Sequence, residues 1–426
     1  MSKSPLAATQ TRDSRRAIWG WSMYDWANSA FTTTVLAGFF PVFFRRVYNE
    51  GAPPVVVTSR LAMASSLSIL VVVLMAPVLG AVVDAAARRK WALTVFMLLG
   101  SGATAVLATV GRGNWLSAAA FFALANVGFS MGNVFYDSLL LAVAAENQRD
   151  RVSALGYALG YLGGGLLFLV NVVMVLNPAL FHIRDADQAV RLSFLSVALW
   201  WVVFTIPLQL WVREPKAPSS AGFARAASGA INELGRTIRE LPKQRTLLLF
   251  LVAFWLYIDG VGTVIRMALD YGASIGLATK HLISALLLTQ FIGFPAAILF
   301  GRLGERWGAQ RSVILGIAVY AGVTVFATRM HTAAEFYVLA GTVGLVQGGV
   351  QSLSRSIYSR LIPADRSSEY FGFYGMLDKS AAIFGPLLMG WVGLFTSNSR
   401  YGLLSLLILF IAGGWLLAKV KLTNAN

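Results

Sequence analysis

The sequence predicts an all-α polytopic membrane protein of twelve transmembrane helices, organised as two pseudo-symmetric six-helix bundles. Hydrophobic residues make up 57% of the 426 residues and charged residues only 13%, against about 25% charged in soluble domains. The apolar residues fall in blocks of roughly 20, each long enough to cross about 30 Å of hydrocarbon. Polar residues inside those blocks recur in a regular order, and the two halves of the chain repeat the same signals.

Residues 1–18 form a polar, basic tail with Arg12, Arg15 and Arg16. Span 1 runs over 19–44, with Pro41 placed to kink its outer end. Span 2 covers 59–83 and span 3 covers 91–110. Span 4 covers 115–143. Span 5, at 153–176, carries Gly156, Gly160 and Gly164 at four-residue spacing, which lets a neighbouring helix approach closely. Span 6 covers 190–212, closing an N-terminal bundle over 19–212. Residues 213–245 are the longest polar stretch, a linker opened by Pro215 and Pro218. Within it Ile231, Leu234, Ile238 and Leu241 share one helix face, and Glu233, Arg236, Arg239 and Glu240 share the other. That pattern predicts an amphipathic helix lying on the membrane surface. The C-terminal bundle, 246–420, holds span 7 (246–270), span 8 (281–301), span 9 (311–328), span 10 (335–358), span 11 (370–395) and span 12 (401–418). A short tail, 421–426, follows.

The net charge is +16. Most of the 35 Lys and Arg residues fall in the tails and in the loops on the same side as both chain ends. This is the positive-inside pattern, so both termini are expected in the cytoplasm, and the basic excess speaks for topology and anionic lipid rather than nucleic acid. Only Arg266 and Lys379 are expected inside spans. The chain has no cysteine, which excludes disulfides and thiolate chemistry. His182, His281 and His331 show no metal-ligand spacing. No cleavable signal peptide is expected, because the first apolar segment is too long for one and carries Asp25.

Asp25 is the sharpest local signal. An Asp at the centre of a membrane helix costs about 2.5–3.5 kcal/mol, and such a residue is normally turned to a protein interior or a water-filled cavity. Asp25, Asn28, Ser29 and Thr32 lie at i, i+3, i+4 and i+7, on one face. Span 4 has a stripe of Asn126, Ser130, Asn133 and Asp137. Span 7 has Asp259, Thr263, Arg266 and Asp270. Span 10 has Gln347, Gln351, Ser354 and Tyr358, with Arg355 beside them. Spans 1, 4, 7 and 10 are the first helices of four consecutive triplets, a 3+3+3+3 pattern. The halves also share a loop signal: Gly80-x-x-x-Asp84 before Arg88 and Arg89, and Gly301-x-x-x-Glu305 before Arg306.

With these residues in hand, the chain resembles the major facilitator superfamily, through the Gly80-x-x-x-Asp84-x-x-x-Arg88-Arg89 loop and its degenerate second copy. Within it, several strings resemble the group that includes the fungal vacuolar amino-acid effluxers and their bacterial relatives. They are Tyr24-Asp25-Trp26-Ala27-Asn28-Ser29, Tyr257-Ile258-Asp259-Gly260-Val261, Gly344-Leu345-Val346-Gln347-Gly348-Gly349, Ser352-Leu353-Ser354-Arg355-Ser356 and Phe371-Gly372-Phe373-Tyr374. Ile258 departs from the Asn usual in that group, and Arg266 and Asp270 fall outside its pattern.

The resemblance implies a secondary transporter that alternates between inward- and outward-open states around a central site. The expected substrate or coupling residues are Asp25, Asn28, Ser29, Asn133, Asp137, Asp259, Arg266, Gln347 and Gln351. The expected gating residues are Asp84, Arg88, Arg89, Glu305, Arg306, Asp378 and Lys379, with ion pairs of Asp84 with Arg88 and of Glu305 with Arg306 holding one state closed. Arg266 and Asp270, at i and i+4, are alternatively a structural pair. The mixed charges point to a zwitterionic or anionic small solute, amino-acid-like by resemblance, with a coupling proton and no other cofactor. A lipid or amphiphile translocator is the alternative, with Trp19, Trp21 and Trp26 as interfacial anchors; a solute-binding sensor that does not transport is another. No nucleophile–base pair, metal cluster or phosphate loop suggests an enzyme. The expected setting is a bacterial cytoplasmic membrane, with lipids and solute as partners and a monomer as the working unit.

Overall fold

The computed structural model describes residues 14–214, 223–274, 276–396 and 399–422. Thirteen long helices carry the described chain. They are α1 (Arg15–Tyr48), α2 (Pro54–Ala86), α3 (Arg89–Leu107), α4 (Trp115–Val143), α5 (Arg149–Leu176), α6 (Ala186–Trp211) and α7 (Phe223–Glu240). The second half adds α8 (Arg245–Ser274), α9 (Thr279–Trp307), α10 (Ala309–Ala327), α11 (Ala333–Leu361), α12 (Ser367–Thr396) and α13 (Ser399–Ala418). Among the described residues, eleven helical stretches are long and apolar enough to cross a membrane. Helix α12, which carries Asp378 and Lys379, takes the place of the expected eleventh span. Pro215, Pro218 and the side chains of Ile231, Glu233 and Asp270 lie outside the described residues.

Local chemistry sets the helix ends. Ser14 accepts the Ala17 N–H at the start of α1, and Asp185 accepts the Gln188 N–H at the start of α6. Thr332 and Glu335 form a reciprocal capping box on α11. The equivalent turns α2–α3 and α9–α10 both pass through positive φ, at Ala87 (47°) and Gly308 (91°). The α1 helix is underwound in part: Phe31–Phe39 and Phe44–Tyr48 carry i→i+5 hydrogen bonds, an arrangement that is common at functional positions.

The two bundles meet along two helix pairs, α5 with α9 and α2 with α12. Glycines make both contacts possible. A side chain at Gly80 would collide with the backbone at Ser368 and Glu369, and one at Gly372 would come within 2.5 Å of the Ala76 carbonyl. On the other pair, a Cβ at Gly301 would meet that of Ala154 at 2.6 Å.

The amphipathic helix expected in the linker is α7, and it packs in part on the protein. Leu234 is buried in a cluster with Ala81 and Val82 of α2 and Phe373 of α12, and Thr237 bonds to Arg366. The apolar face of α7 therefore covers the junction of the two bundles; Ile238, expected on that face, is 54% exposed. An apolar groove between protein helices satisfies the same stripe that a bilayer surface would.

The tryptophans also differ from expectation. Trp21 is fully buried, stacked on Tyr136 at 4.4 Å, and donates to the Tyr136 carbonyl. Trp26 stacks on Trp200. Only Trp19, 48% exposed, is placed as an interfacial anchor would be.

Candidate functional site

The centre of the molecule is a charge cluster that joins the two bundles. Arg355, on α11, is 2% exposed. Its Nη1 lies 2.8 Å from Asp137 Oδ1 on α4, and its Nη2 lies 3.5 Å from Asp25 Oδ2 on α1. Its Nε donates to Ser153 Oγ, and Nη2 donates to the Ser153 carbonyl, both at 2.9 Å. The rings of Trp21, Tyr136 and Tyr157 surround the guanidinium, with its carbon 4.8, 5.3 and 4.5 Å from their centroids. Tyr136 also donates to Asp25 Oδ2 at 2.7 Å. Among the described residues, the hydrogen bonds, ion pairs and ring contacts of this guanidinium come from the opposite bundle, and its partners include two carboxylates.

Arg355 was not among the expected site residues. It lies inside span 10, beside the stripe of Gln347, Gln351, Ser354 and Tyr358, and α11, which runs to Leu361, buries it. The available signal was a single Arg inside a run of small and apolar residues, which in a membrane span marks a functional position.

The neighbouring stripe residues gather here in part. Asn28 Nδ2 donates to Asn133 Oδ1 at 2.6 Å, tying α1 to α4. Ser29 faces α5, where a Cβ at Gly160 would meet its hydroxyl at 2.6 Å; one at Gly156 would meet Asp25 Oδ2 at 2.6 Å. The α5 glycines thus make room for the polar face of α1. The upper part of the α4 stripe does not reach the centre: Asn126 donates to Ser68 on α2. On α11, Tyr358 donates to the Tyr370 carbonyl and Ser354 pairs with Tyr257. Gln351 is half-buried, and Gln347 lines a cavity of about 120 Å³. Thr32, Thr33 and Ala37 of α1, Val264 of α8, and Thr289 and Gln290 of α9 complete much of that cavity. Its lining is largely apolar, with uncharged polar groups at intervals, and it lies in the half of the bundle away from the chain termini.

Asp259 stands apart from the cluster. It is 1% exposed and lies against Gly385 of α12. Arg266 is exposed, folds back on Gly262 and makes no ion pair among the described residues. Asp378 and Lys379 pair with each other at 3.2 Å and are both partly exposed.

At the end of the bundle that carries both termini, Asp84 is shared between the halves. Its Oδ1 accepts from Arg89 Nε at 2.7 Å and its Oδ2 accepts the Glu369 N–H at 2.8 Å. Arg89 also donates to the Ala364 and Asp365 carbonyls. The pair expected between Asp84 and Arg88 is thus made by Arg89. Ala87 turns the chain through the left-handed region, leaving Arg88 exposed and bringing Arg89 back over Asp84. Glu305 and Arg306 are both exposed and form no ion pair among the described residues. The charge bridge on that side of the junction joins Arg360 of α11 to Asp150 of α5, at 2.8 Å. Arg149 adds a bond to the Ser359 carbonyl.

Two helical bundles closed around buried charges are the layout of the major facilitator fold. Solved structures of that fold agree. The chain matches the human organic anion transporter MFSD10 with a TM-score of 0.70 at 16% identity, covering 97% of this chain and 100% of the other. It matches the proton:xylose symporter XylE at 0.67 and 12% identity, over 95% and 94%. Residues 47–426 match the family described as "Vacuole effluxer Atg22 like", and the chain belongs to that family. It is 35% identical over 406 residues to an uncharacterized MFS-type transporter, YxiO, of Bacillus subtilis, covering 94% of each chain. It is 26% identical over 294 residues to autophagy-related protein 22 of Yarrowia lipolytica, covering 62% of this chain and 49% of the fungal protein. The protein is an integral, multi-pass membrane protein, and fold and family together mark it as a transporter rather than an enzyme.

Proposed function

We propose that the protein is a secondary active transporter that moves a small zwitterionic or anionic, amino-acid-like solute by alternating access, coupled to a cation and in the simplest case to protons. The single observation that carries this reading is the Arg355–Asp25–Asp137 cluster. It places charges from both bundles in contact at the centre of the membrane domain, where desolvated charges are costly and are kept where they work. A solute with its own ammonium and carboxylate groups can exchange partners with such a cluster without leaving a bare charge behind. The cavity beside Gln347 supplies an apolar wall for the rest of the solute.

Alternating access would then be a rocking of the bundles about this cluster. In the present arrangement the end carrying the termini is closed by Asp84, Arg89, Arg360 and α7. The positive-inside pattern makes that end cytoplasmic, so this is a cytoplasm-closed state in a bacterial cytoplasmic membrane. The full chain in proteoliposomes provides the test. Uptake or counterflow of amino acids, peptides, organic acids and sugars should single out one polar solute class, and both Asp25→Asn and Arg355→Ala should abolish it with the protein still folded. Stabilisation and movement of lysolipids alone would favour the amphiphile reading instead.

A further inference from the structure

We infer that Asp259 and Thr263 of α8, with the facing backbone of α12, form a binding site for a small monovalent cation, a proton or sodium, separate from the Arg355 cluster. Both carboxylate oxygens of Asp259 and the hydroxyl of Thr263 are enclosed and have no hydrogen-bond partner among the described residues. Asp259 is 1% exposed and Thr263 is fully buried. The two side chains, one helical turn apart, converge on the same point of α12. A Cβ at Gly385 would overlap the Thr263 hydroxyl and would stand 3.0 Å from Asp259 Oδ1.

The opposite wall offers a further oxygen. Pro386 lies inside α12 and has no N–H, so the carbonyl four residues before it, at position 382, loses its helical donor. Positions 382 and 385 are three apart and share a helix face. A carboxylate, a hydroxyl and a freed carbonyl all supply electron pairs, and none supplies a positive charge.

A buried carboxylate left without a partner is far too costly to persist as a bare anion. Asp25 and Asp137 are bonded to Arg355, but Asp259 has no bonded cation among the described residues. Its own helix adds Arg266, two turns away and folded on Gly262, which acts on the carboxylate through space without bonding to it. The charged groups of the elements packed on α8 near this depth are Asp378 and Lys379 of α12, which pair with each other, and Arg355 of α11, which pairs with Asp25 and Asp137. From α13 the neighbour is Phe410, stacked on Tyr320 of α10. A cation from solution would give these oxygens the bonded partner that no described side chain supplies. Use of this site for coupling rests on the transporter reading; occupancy of the site does not.

The experiment measures thermal unfolding of the purified full chain in detergent, in sodium chloride against choline chloride and across pH at fixed salt. A rise of the midpoint with sodium identifies sodium, and a rise on acidification without a sodium effect identifies the proton. Either response should vanish in Asp259→Asn and persist in Asp25→Asn. In Thr263→Ala, which removes a single ligand, half-maximal response should need about tenfold more cation. This second variant carries the test if Asp259→Asn does not fold. A wild-type chain insensitive to both ions, or an Asp259→Asn or Thr263→Ala variant that responds as wild type does, overturns the assignment. Because the readout is equilibrium binding, failure to find a transported solute leaves it intact, and loss of the cation response leaves the solute assay intact.

Discussion

Arg355 and Asp137 stand 2.8 Å apart although they belong to opposite bundles and are separated by 218 residues of chain. This pair, with Asp25 as its second carboxylate, fixes the relative position of α1, α4 and α11 more tightly than apolar packing would, because moving either helix exposes a charge. The Ser153 bonds and the ring of Trp21, Tyr136 and Tyr157 hold the guanidinium in one orientation.

Removal of one side of this cluster should be far worse than removal of both. Arg355→Ala leaves two carboxylates facing each other in a dry site, and loss of one partner of a buried pair costs about 3–5 kcal/mol. The variant should show a clearly lowered thermal midpoint in detergent. Arg355→Met combined with Asp25→Asn and Asp137→Asn should recover most of that midpoint while remaining inactive in proteoliposomes. A triple variant as unstable as Arg355→Ala would mean that the cluster holds the fold by shape rather than charge.

Asp84 and Arg89 should control closure of the end that carries the termini, and Arg88 should not. Charge reversal at Asp84 removes both the Arg89 pair and the acceptor for the Glu369 N–H. The chain has no native cysteine, so single cysteines introduced along α2 and α12 at the end that carries the termini report accessibility directly. Labelling should increase in Asp84→Lys and Arg89→Ala and stay at the reference level in Arg88→Ala. Equal effects of Arg88→Ala and Arg89→Ala would contradict the pairing seen at this turn.

Much of this architecture is legible in the sequence, and the misses have particular causes. Every span was visible as an apolar block, since backbone groups in hydrocarbon must be satisfied within the helix and this forces long uninterrupted runs. Asp25, Asn28, Asn133 and Asp137 were visible because a polar stripe at helical spacing in such a run is costly. Arg355 was in view beside the span 10 stripe, but its partners Ser153 and Asp137 lie 202 and 218 residues away in the chain, and helical periodicity within one span does not report them. The choice between Arg88 and Arg89 was equally hidden: both are adjacent to the turn, and only the left-handed conformation of Ala87 decides which one returns to Asp84. The position of α7 could not be read from its amphipathic pattern, since a groove between α2 and α12 and a lipid surface demand the same stripe.

The glycine pair Gly80 and Gly372 should act as a size limit on the closed state. Each sits where the partner helix's backbone comes too close for any side chain. Substitution by Val at either position should force α2 and α12 apart without disturbing either bundle's own core, so the fold should persist while cysteines at the end that carries the termini become accessible. Gly102, which has open space around it, provides the control: Gly102→Val should leave labelling unchanged.

The last prediction concerns α7, whose sequence joins the bundles and whose position locks them. Leu234 shares one buried cluster with Ala81 and Val82 of α2 and Phe373 of α12, so opening of the end that carries the termini must break up that cluster. Core truncations of Leu to Ala cost 2 kcal/mol or more where the site cannot collapse, and roughly the lower end of that range applies to a small cluster at a junction. That energy is present only in the closed state. Leu234→Ala should therefore shift the balance toward the cytoplasm-open state by about tenfold or more, raising cysteine labelling at the α2–α12 junction. Leu234→Asp should do so more strongly. Neither change touches the Arg355 cluster, so solute binding should survive in both. Labelling that does not change in Leu234→Asp would show that α7 follows the bundles passively and contributes nothing to their closure.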